Sequence, residues 1–513
     1  MQTLDRTRSA PHRTNQHRRG QLLVLGLLLM SYAYFFPRWA EWNQNSRMDL
    51  TLAIVDQGTF VIDDYYRNTG DYAVYDQHVY TDKAPGTSFL GVPVYAAFRL
   101  LERVPAVEAL IAGLTTTEAL EATLRQEGTG LLEEKVRFAA ALYFVTFFVV
   151  SLPSALLGAL LYGFLGRVLE NGLLRTALVL GYGLATVAFP YSTVFYGHQT
   201  AAVLLFAAFY LAYRVRQGEL RIGYLWLVGM LMGLAVLTEF PAVVASGCLV
   251  LYAAWYLFRQ TGWRGAVSGI GRVLLAGIPF AGLLAFYNAS CFGSPFSSSY
   301  RYLGRFPEIS STGFLGFTAP SWEAFWGTTF SPYRGLFFLS PFLLWAVLGY
   351  LVFLRDGAWC PEGVLSLVTV GVHLLLISCW YDWRGGYAIG PRNLLLILPH
   401  LIVAIAFFLQ QVADSPIRPY VYWCFGLSLV VSMALVWVAS TSGQYFPPIT
   451  IANPLVEFFW PRFVAGDITR NLGMALGLSS WWSLLPPFLI VSAAIGGAAW
   501  TQRRKREPLS GCA

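Results

Sequence analysis

The sequence predicts an all-α polytopic membrane protein: a bundle of about twelve transmembrane helices capped on one side by ordered loops. Three observations lead there. The 513 residues are 56% hydrophobic and only 12% charged, with a mean hydropathy of +0.53, whereas soluble domains carry about 25% charged residues. Apolar runs of roughly 16 to 22 residues recur along the whole chain, long enough for a helix to cross a bilayer and far too long for barrel strands. Finally, the basic residues gather at the ends and in short connectors, the placement that orients a membrane protein with Lys and Arg in the cytoplasm.

The apolar runs fall near 21–38, 136–165, 176–194, 199–213, 223–239, 242–258, 272–290, 336–354, 362–380, 393–411, 419–440 and 482–500. The first follows the basic tail 1–20 (Arg6, Arg8, Arg13, Arg18, Arg19) and has no small-residue cleavage site after it, so it reads as a retained span. An even number of spans puts that tail and the basic tail 501–513 (Arg503, Arg504, Lys505, Arg506) in the cytoplasm, with 21–500 as one transmembrane domain. The connectors 166–175, 214–222, 259–271 and 355–361, all bearing Arg, land on the same side. Lys135 and Arg137 fall on the other side, after a loop long enough to obey the rule weakly. The expected location is the inner (plasma) membrane.

A formal charge of +7 distributed in this way is not a nucleic-acid signal. The six cysteines, Cys248, Cys291, Cys360, Cys379, Cys424 and Cys512, include no CxxC pair, so neither a metal cluster nor a disulfide framework is predicted.

Long loops fall at 39–135, 291–335, 381–392 and 441–481, all on the extracytoplasmic side. They are rich in Trp, Tyr, Gly and Pro, unlike disordered tails, and are expected to be ordered. In the first loop, 47–58 has helical spacing that puts Asp49 and Asp56 on one face, with Gly58 as the stop. A second, interfacial or re-entrant helix is expected from Pro85 through "GTSFLGVPVYAAFRLL", and a short surface helix at 115–126.

The ionisable residues concentrate on that loop side. Seven aspartates lie between 49 and 82 (Asp49, Asp56, Asp63, Asp64, Asp71, Asp76, Asp82), set against Arg47, Arg67 and Lys83. "SPYRG" adds Arg334, and "YDWRGGYAIGPRN" adds Asp382, Arg384 and Arg392. Taken singly, each reads as a solvated or locally paired boundary residue. His373 reads as a helix–helix hydrogen-bonding residue, Glu239 as the cap of a tight hairpin, and His198 as a turn residue. Together, carboxylates and guanidinium groups among Tyr and Trp suit an anionic phosphate headgroup whose tail stays in the bilayer. Arg grips phosphate bidentately, Lys acts as a point charge, and a carboxylate can take a proton from an attacking hydroxyl.

The order of a basic tail, one span, "NSRMDLTLAIVDQGTF" and then "YTDKAPG" resembles the GT-C superfamily of lipid-linked glycosyltransferases. The resemblance is to the branch holding the lipid A aminoarabinose transferase and the protein O-mannosyltransferases, and it covers about residues 40 to 100. Arg47 matches the family's Arg, Gly58 its Gly, and Tyr80, Lys83 and Pro85 its Tyr-x-x-Lys-Pro-Pro-like element. Later, "WRGGYAIGPR" looks like the Gly-Pro-Arg of a late outer loop in such proteins. One departure stands out: the family's catalytic Asp, three residues before the Arg, is Gln44 here, leaving Asp49 or Asp63 as the catalytic candidate.

The resemblance implies a GT-C-like bundle and an extracytoplasmic site. The donor is a polyprenyl-phosphate-linked sugar, and a hydroxyl acceptor of unknown class is deprotonated by an Asp and attacks the anomeric carbon with inversion. Arg47, Asp71, Tyr80, Asp82, Lys83, Arg334, Asp382, Arg384 and Arg392 are the expected substrate-binding residues. A divalent cation assists some relatives, but this sequence requires none and has no compact ligand set. The rival from another class is a transporter or flippase of lipid-linked glycans, which needs polar or broken helices near the midplane. A non-catalytic membrane scaffold is the other, and it needs no convergence of Asp, Lys and Arg.

Overall fold

The computed structural model describes residues 11–38, 41–109, 135–314 and 316–504. The surface helix expected at 115–126 lies outside them. Helical structure occupies each of the twelve apolar stretches, and the protein is a multi-pass bundle. Among the described residues, five helical runs are long and apolar enough to cross a membrane: Lys135–Leu165, Ala242–Phe292, Cys360–Ser378, Arg392–Gln411 and Arg418–Thr441.

Several other expected spans are interrupted. The stretch 176–194 stops at Leu184 and resumes as the short turn Ala188–Tyr191. The stretch 336–354 is split at Ser340–Pro341, where proline has no N–H to continue the ladder. Conversely, 242–258 and 272–290 belong to one helical run, broken by Gly262 at φ 69°, ψ −170°. Only glycine adopts that backbone readily.

Burial separates the helices into shells. The apolar stretch of Arg392–Gln411 is 89% buried inside the protein, against 17% for Arg418–Thr441 and for Ala242–Phe292. The first is therefore the central helix. The other two turn Leu251, Leu274, Ile278, Trp423 and Val430 outward, as helices do when lipid is their solvent. The central helix opens with a 3-10 turn, Arg392–Ile397, which places Arg392 at its mouth.

Over that mouth lies the first loop. Its helix Trp42–Leu52 is almost wholly buried and widens into a π turn, Ala53–Gln57, that Gly58 ends at φ 67°. The wide turn breaks the expected common face of Asp49 and Asp56. Asp49 is sealed inside, whereas Asp56 accepts from Tyr95 at 2.8 Å and pairs with Arg99 at 3.0 Å. A two-stranded antiparallel hairpin follows, β1 (Tyr72–Tyr75) and β2 (His78–Thr81), turned through Asp76 and Gln77 at positive φ. Helix Gly86–Leu101 comes next.

Candidate functional site

The hairpin register builds the first part of the site. Tyr72 pairs with Thr81, so Asp71 before β1 and Asp82–Lys83 after β2 emerge together at its open end. There Lys83 Nζ contacts Asp71 at 2.8 Å and Asp82 at 3.0 Å, with each of the three side chains less than one-fifth exposed. Burial alone would lower the basicity of Lys83, but Asp71 and Asp82 outweigh it and hold the amine cationic, against a small opposing effect of Arg392. Asp82 pays for its burial with a pKa of about 6, raised by desolvation and by Asp71 and held down by Lys83.

Arg47 fixes this edge to the bundle. Its guanidinium donates to the Ala84 carbonyl at 3.0 Å, Thr87 Oγ1 at 3.3 Å and Asn43 Oδ1 at 3.1 Å, and pairs with Glu239 at 2.5 Å. Arg47 is thus fully employed in clamping "KAPG" onto the hairpin at Glu239. Gly86 completes that fit: a Cβ there would lie 2.5 Å from the Leu237 carbonyl carbon.

The next layer comes from the helix mouths. Glu239 also meets His198 Nδ1 at 3.3 Å, and His198 Nε2 meets Asn393 Oδ1 at 3.1 Å. Arg392 lies over the Tyr196 ring at 5.3 Å. Arg334 is 1% exposed and donates to the Gly386 carbonyl at 2.7 Å. Among the described residues, Arg392 Nε and Arg334 Nε and Nη1 are buried with no hydrogen-bond partner. Asp382, mostly buried, is raised above the usual carboxylate range by desolvation; Arg392, Lys83 and Arg334 oppose the shift and Asp71 adds to it. Lys83, Arg392, Arg334, Asp71 and Asp382 therefore share one electrostatic environment.

Over nearly its whole length the chain is similar to the crystal structure of ArnT from Cupriavidus metallidurans bound to undecaprenyl phosphate. The TM-score is 0.49 and the identity 15%, over 96% of this chain and 74% of that one. It is also similar to the archaeal oligosaccharyltransferase AglB from Archaeoglobus fulgidus, in complex with an inhibitory peptide and a dolichol-phosphate. There the TM-score is 0.45 and the identity 11%, over 86% of this chain and 57% of that one. No protein-family model and no curated protein matches the sequence. Likeness of this degree says nothing about reaction or substrate, which have to come from the site itself.

Not every expected residue lies in this environment. Asp63 sits on the exposed side of the hairpin, bonded to His78 Nδ1 at 2.8 Å and to the Val79 N–H at 2.7 Å. Asp49 is fully buried and accepts from Asn68 at 2.9 Å. Tyr80 packs against Phe292, and Arg384 pairs with Glu323 at the surface. Conversely, Glu239 and His198, read from sequence as cap and turn, are the links between Arg47 and Asn393. Glu41, whose Oε1 accepts from the Phe446 N–H and whose charge acts on Tyr191 and Tyr196, carried no signal that would have singled it out. No group of three or more His, Cys, Asp or Glu among the described residues is placed to hold a metal ion.

Proposed function

We propose that the protein is an integral-membrane, inverting glycosyltransferase of the GT-C kind. It moves a sugar from a polyprenyl-phosphate donor to a hydroxyl acceptor on the loop-bearing, extracytoplasmic face. The observation that carries this reading is the set of cations at the mouth of the central helix. Lys83 is held charged, Arg334 and Arg392 keep buried donors unpaired, and all three act on Asp382. Unpaired guanidinium N–H groups are costly unless something anionic meets them, and a phosphate fits their planar geometry.

In the proposed reaction a carboxylate takes the proton of the acceptor hydroxyl. The oxygen then attacks the anomeric carbon, the bond from that carbon to the phosphate oxygen breaks, and polyprenyl phosphate leaves. Lys83, Arg392 and Arg334 meet the charge that grows on the leaving phosphate, the kind of preorganised stabilisation that is usually the largest single contribution to catalysis. Asp49 and Asp63 are the bases expected from the sequence. The surroundings favour Asp382, a raised carboxylate facing the same cations, because a base works best with its pKa drawn toward the working pH.

The test is turnover with a panel of radiolabelled polyprenyl-phosphate sugars, comparing wild type with Lys83→Ala. Transfer from at least one donor, lost in Lys83→Ala while the protein still elutes as a folded monodisperse species, is expected. Undiminished transfer in that variant would overturn the reading, as would donor lipid carried across vesicles without sugar transfer, the outcome a flippase gives.

A further inference from the structure

A second polar site lies beneath the hairpin, on the buried face of the helix Trp42–Leu52. Asn45 and Asp49 are one helical turn apart and so share a face. They are 2% and 0% exposed. Asn45 Nδ2 donates to the Asn68 carbonyl at 3.0 Å, and Asn68 Nδ2 donates to Asp49 Oδ1 at 2.9 Å. These two bonds fix both amide orientations, since turning either one would set oxygen against oxygen. What remains is three acceptors on three residues linked through Asn68, whose main chain takes Asn45 and whose side chain takes Asp49: Asn45 Oδ1, Asp49 Oδ2 and Asn68 Oδ1, all buried with no hydrogen-bond partner among the described residues.

The donors that would satisfy them are missing in kind as well as in number. No ion pair to Asp49 from Lys, Arg or His is present among the described residues, and its carboxyl is raised chiefly by desolvation. A buried carboxylate is normally paired or bound to a metal. A single water has two hydrogens for three acceptors, whereas a cation is not limited in the number of oxygens it can take. The ligands are hard oxygen donors, which select a hard cation. With Asp49 ionised, as a bound cation would require, they carry one negative charge in total, which a monovalent ion balances and a divalent one exceeds.

We infer that Asn45, Asp49 and Asn68 bind a single monovalent cation of the sodium class. The ion ties the helix that carries Arg47 to the turn Tyr66–Asn68, three residues before Asp71. Its occupancy therefore sets how firmly the Lys83 edge is held. The inference stands apart from the reaction proposed above, because it concerns binding and stability alone.

The experiment is thermal unfolding of the purified full chain in detergent at constant ionic strength, with sodium chloride replaced stepwise by choline chloride. Tm is expected to rise with sodium and to saturate. In Asp49→Asn, a close match in shape that removes the charge, the rise should vanish, and in Asp63→Asn, an aspartate outside the nest, it should persist. Equal Tm in sodium and choline for the wild type would overturn the inference, and so would an undiminished sodium effect in Asp49→Asn. The first result would mean that water or a proton on Asp49 fills the nest.

Discussion

The two ends of the bundle use arginine differently. At the end with short connectors, Arg167, Arg214 and Arg216 meet glutamates. Arg167 is held by both oxygens of Glu219, with Arg214 on the same carboxylate at 3.1 Å, and Arg216 pairs with the fully buried Glu362, which Tyr252 also bonds. At the loop end, Arg334 and Arg392 have neighbours but keep buried N–H groups without acceptors. Cation and anion meet in closed pairs at Arg167, Arg214 and Arg216, which suits a joint, although Arg175 Nε and Arg272 Nη1 at this first end are also buried without a hydrogen-bond partner. At the second, cationic donors are left over, which suits a place where an anion arrives. Neither burial of an N–H nor its lack of a partner marks a functional arginine by itself, since Arg175 and Arg272 show both; Arg334 and Arg392 stand out because they also act on Asp382, as Lys83 does.

The largest expected effect breaks the loop end. Asp382→Asn should lower transfer by about 10²–10⁴-fold, the usual contribution of a general base, with polyprenyl-phosphate binding retained. In the wild type, transfer should rise with pH through the raised pKa of Asp382 and level off above it, because the base works only when deprotonated. A pH–rate profile of single-turnover transfer checks both. If Asp382→Asn stays active and Asp63→Asn does not, or Asp49→Asn loses transfer with its Tm in sodium unchanged, the base returns to the first loop.

The next effect belongs to the connector end and should leave chemistry alone. Glu362→Leu strips Arg216 and Tyr252 of their shared acceptor. Breaking a buried pair by removing one partner costs about 3–5 kcal/mol. Unfolding in detergent should show that loss, while the donor KM of the folded fraction stays at the wild-type value. Arg334→Met is the converse. It should weaken polyprenyl-phosphate affinity about 10- to 100-fold, the worth of one hydrogen bond to a charged group, and leave Tm unchanged or higher, because a buried, incompletely paired cation is removed. A fall in Tm comparable with that of Glu362→Leu would mean that Arg334 is a joint after all.

Much of this contrast is legible in the sequence. Apolar length and the placement of Arg mark the helical stretches, and "YTDKAPG" and "GPRN" hold Lys83 and Arg392, whose charges act on each other. The hairpin that joins Asp71 to Lys83 is harder to see. Its turn is Asp76-Gln77, which lacks the glycine that usually announces such a turn, so only the pairing shows that two residues twelve apart in sequence are neighbours. The π turn after Leu52 is likewise silent in the residue pattern, and it decides which way Asp56 faces. Glu239 and His198 each have an ordinary local explanation; their role in linking Arg47 to Asn393 exists only once three helix ends converge.

The smallest expected effect sharpens the comparison from the joint side. At the connector end, Asn171 caps the helix Gly172–Leu184, its Oδ1 accepting from the Leu173 and Leu174 N–H groups at 3.0 and 3.3 Å. Alanine cannot accept those bonds, so Asn171→Ala should cost about 1 kcal/mol of stability, and Asn171→Asp should restore it, since a carboxylate caps equally well and favours the positive end of the helix. Neither variant should alter donor affinity or the pH–rate profile. A change in either would mean that the connector end communicates with the loop end through this helix, and the division between joint and anion-receiving mouth would then have to be drawn across the bundle rather than between its ends.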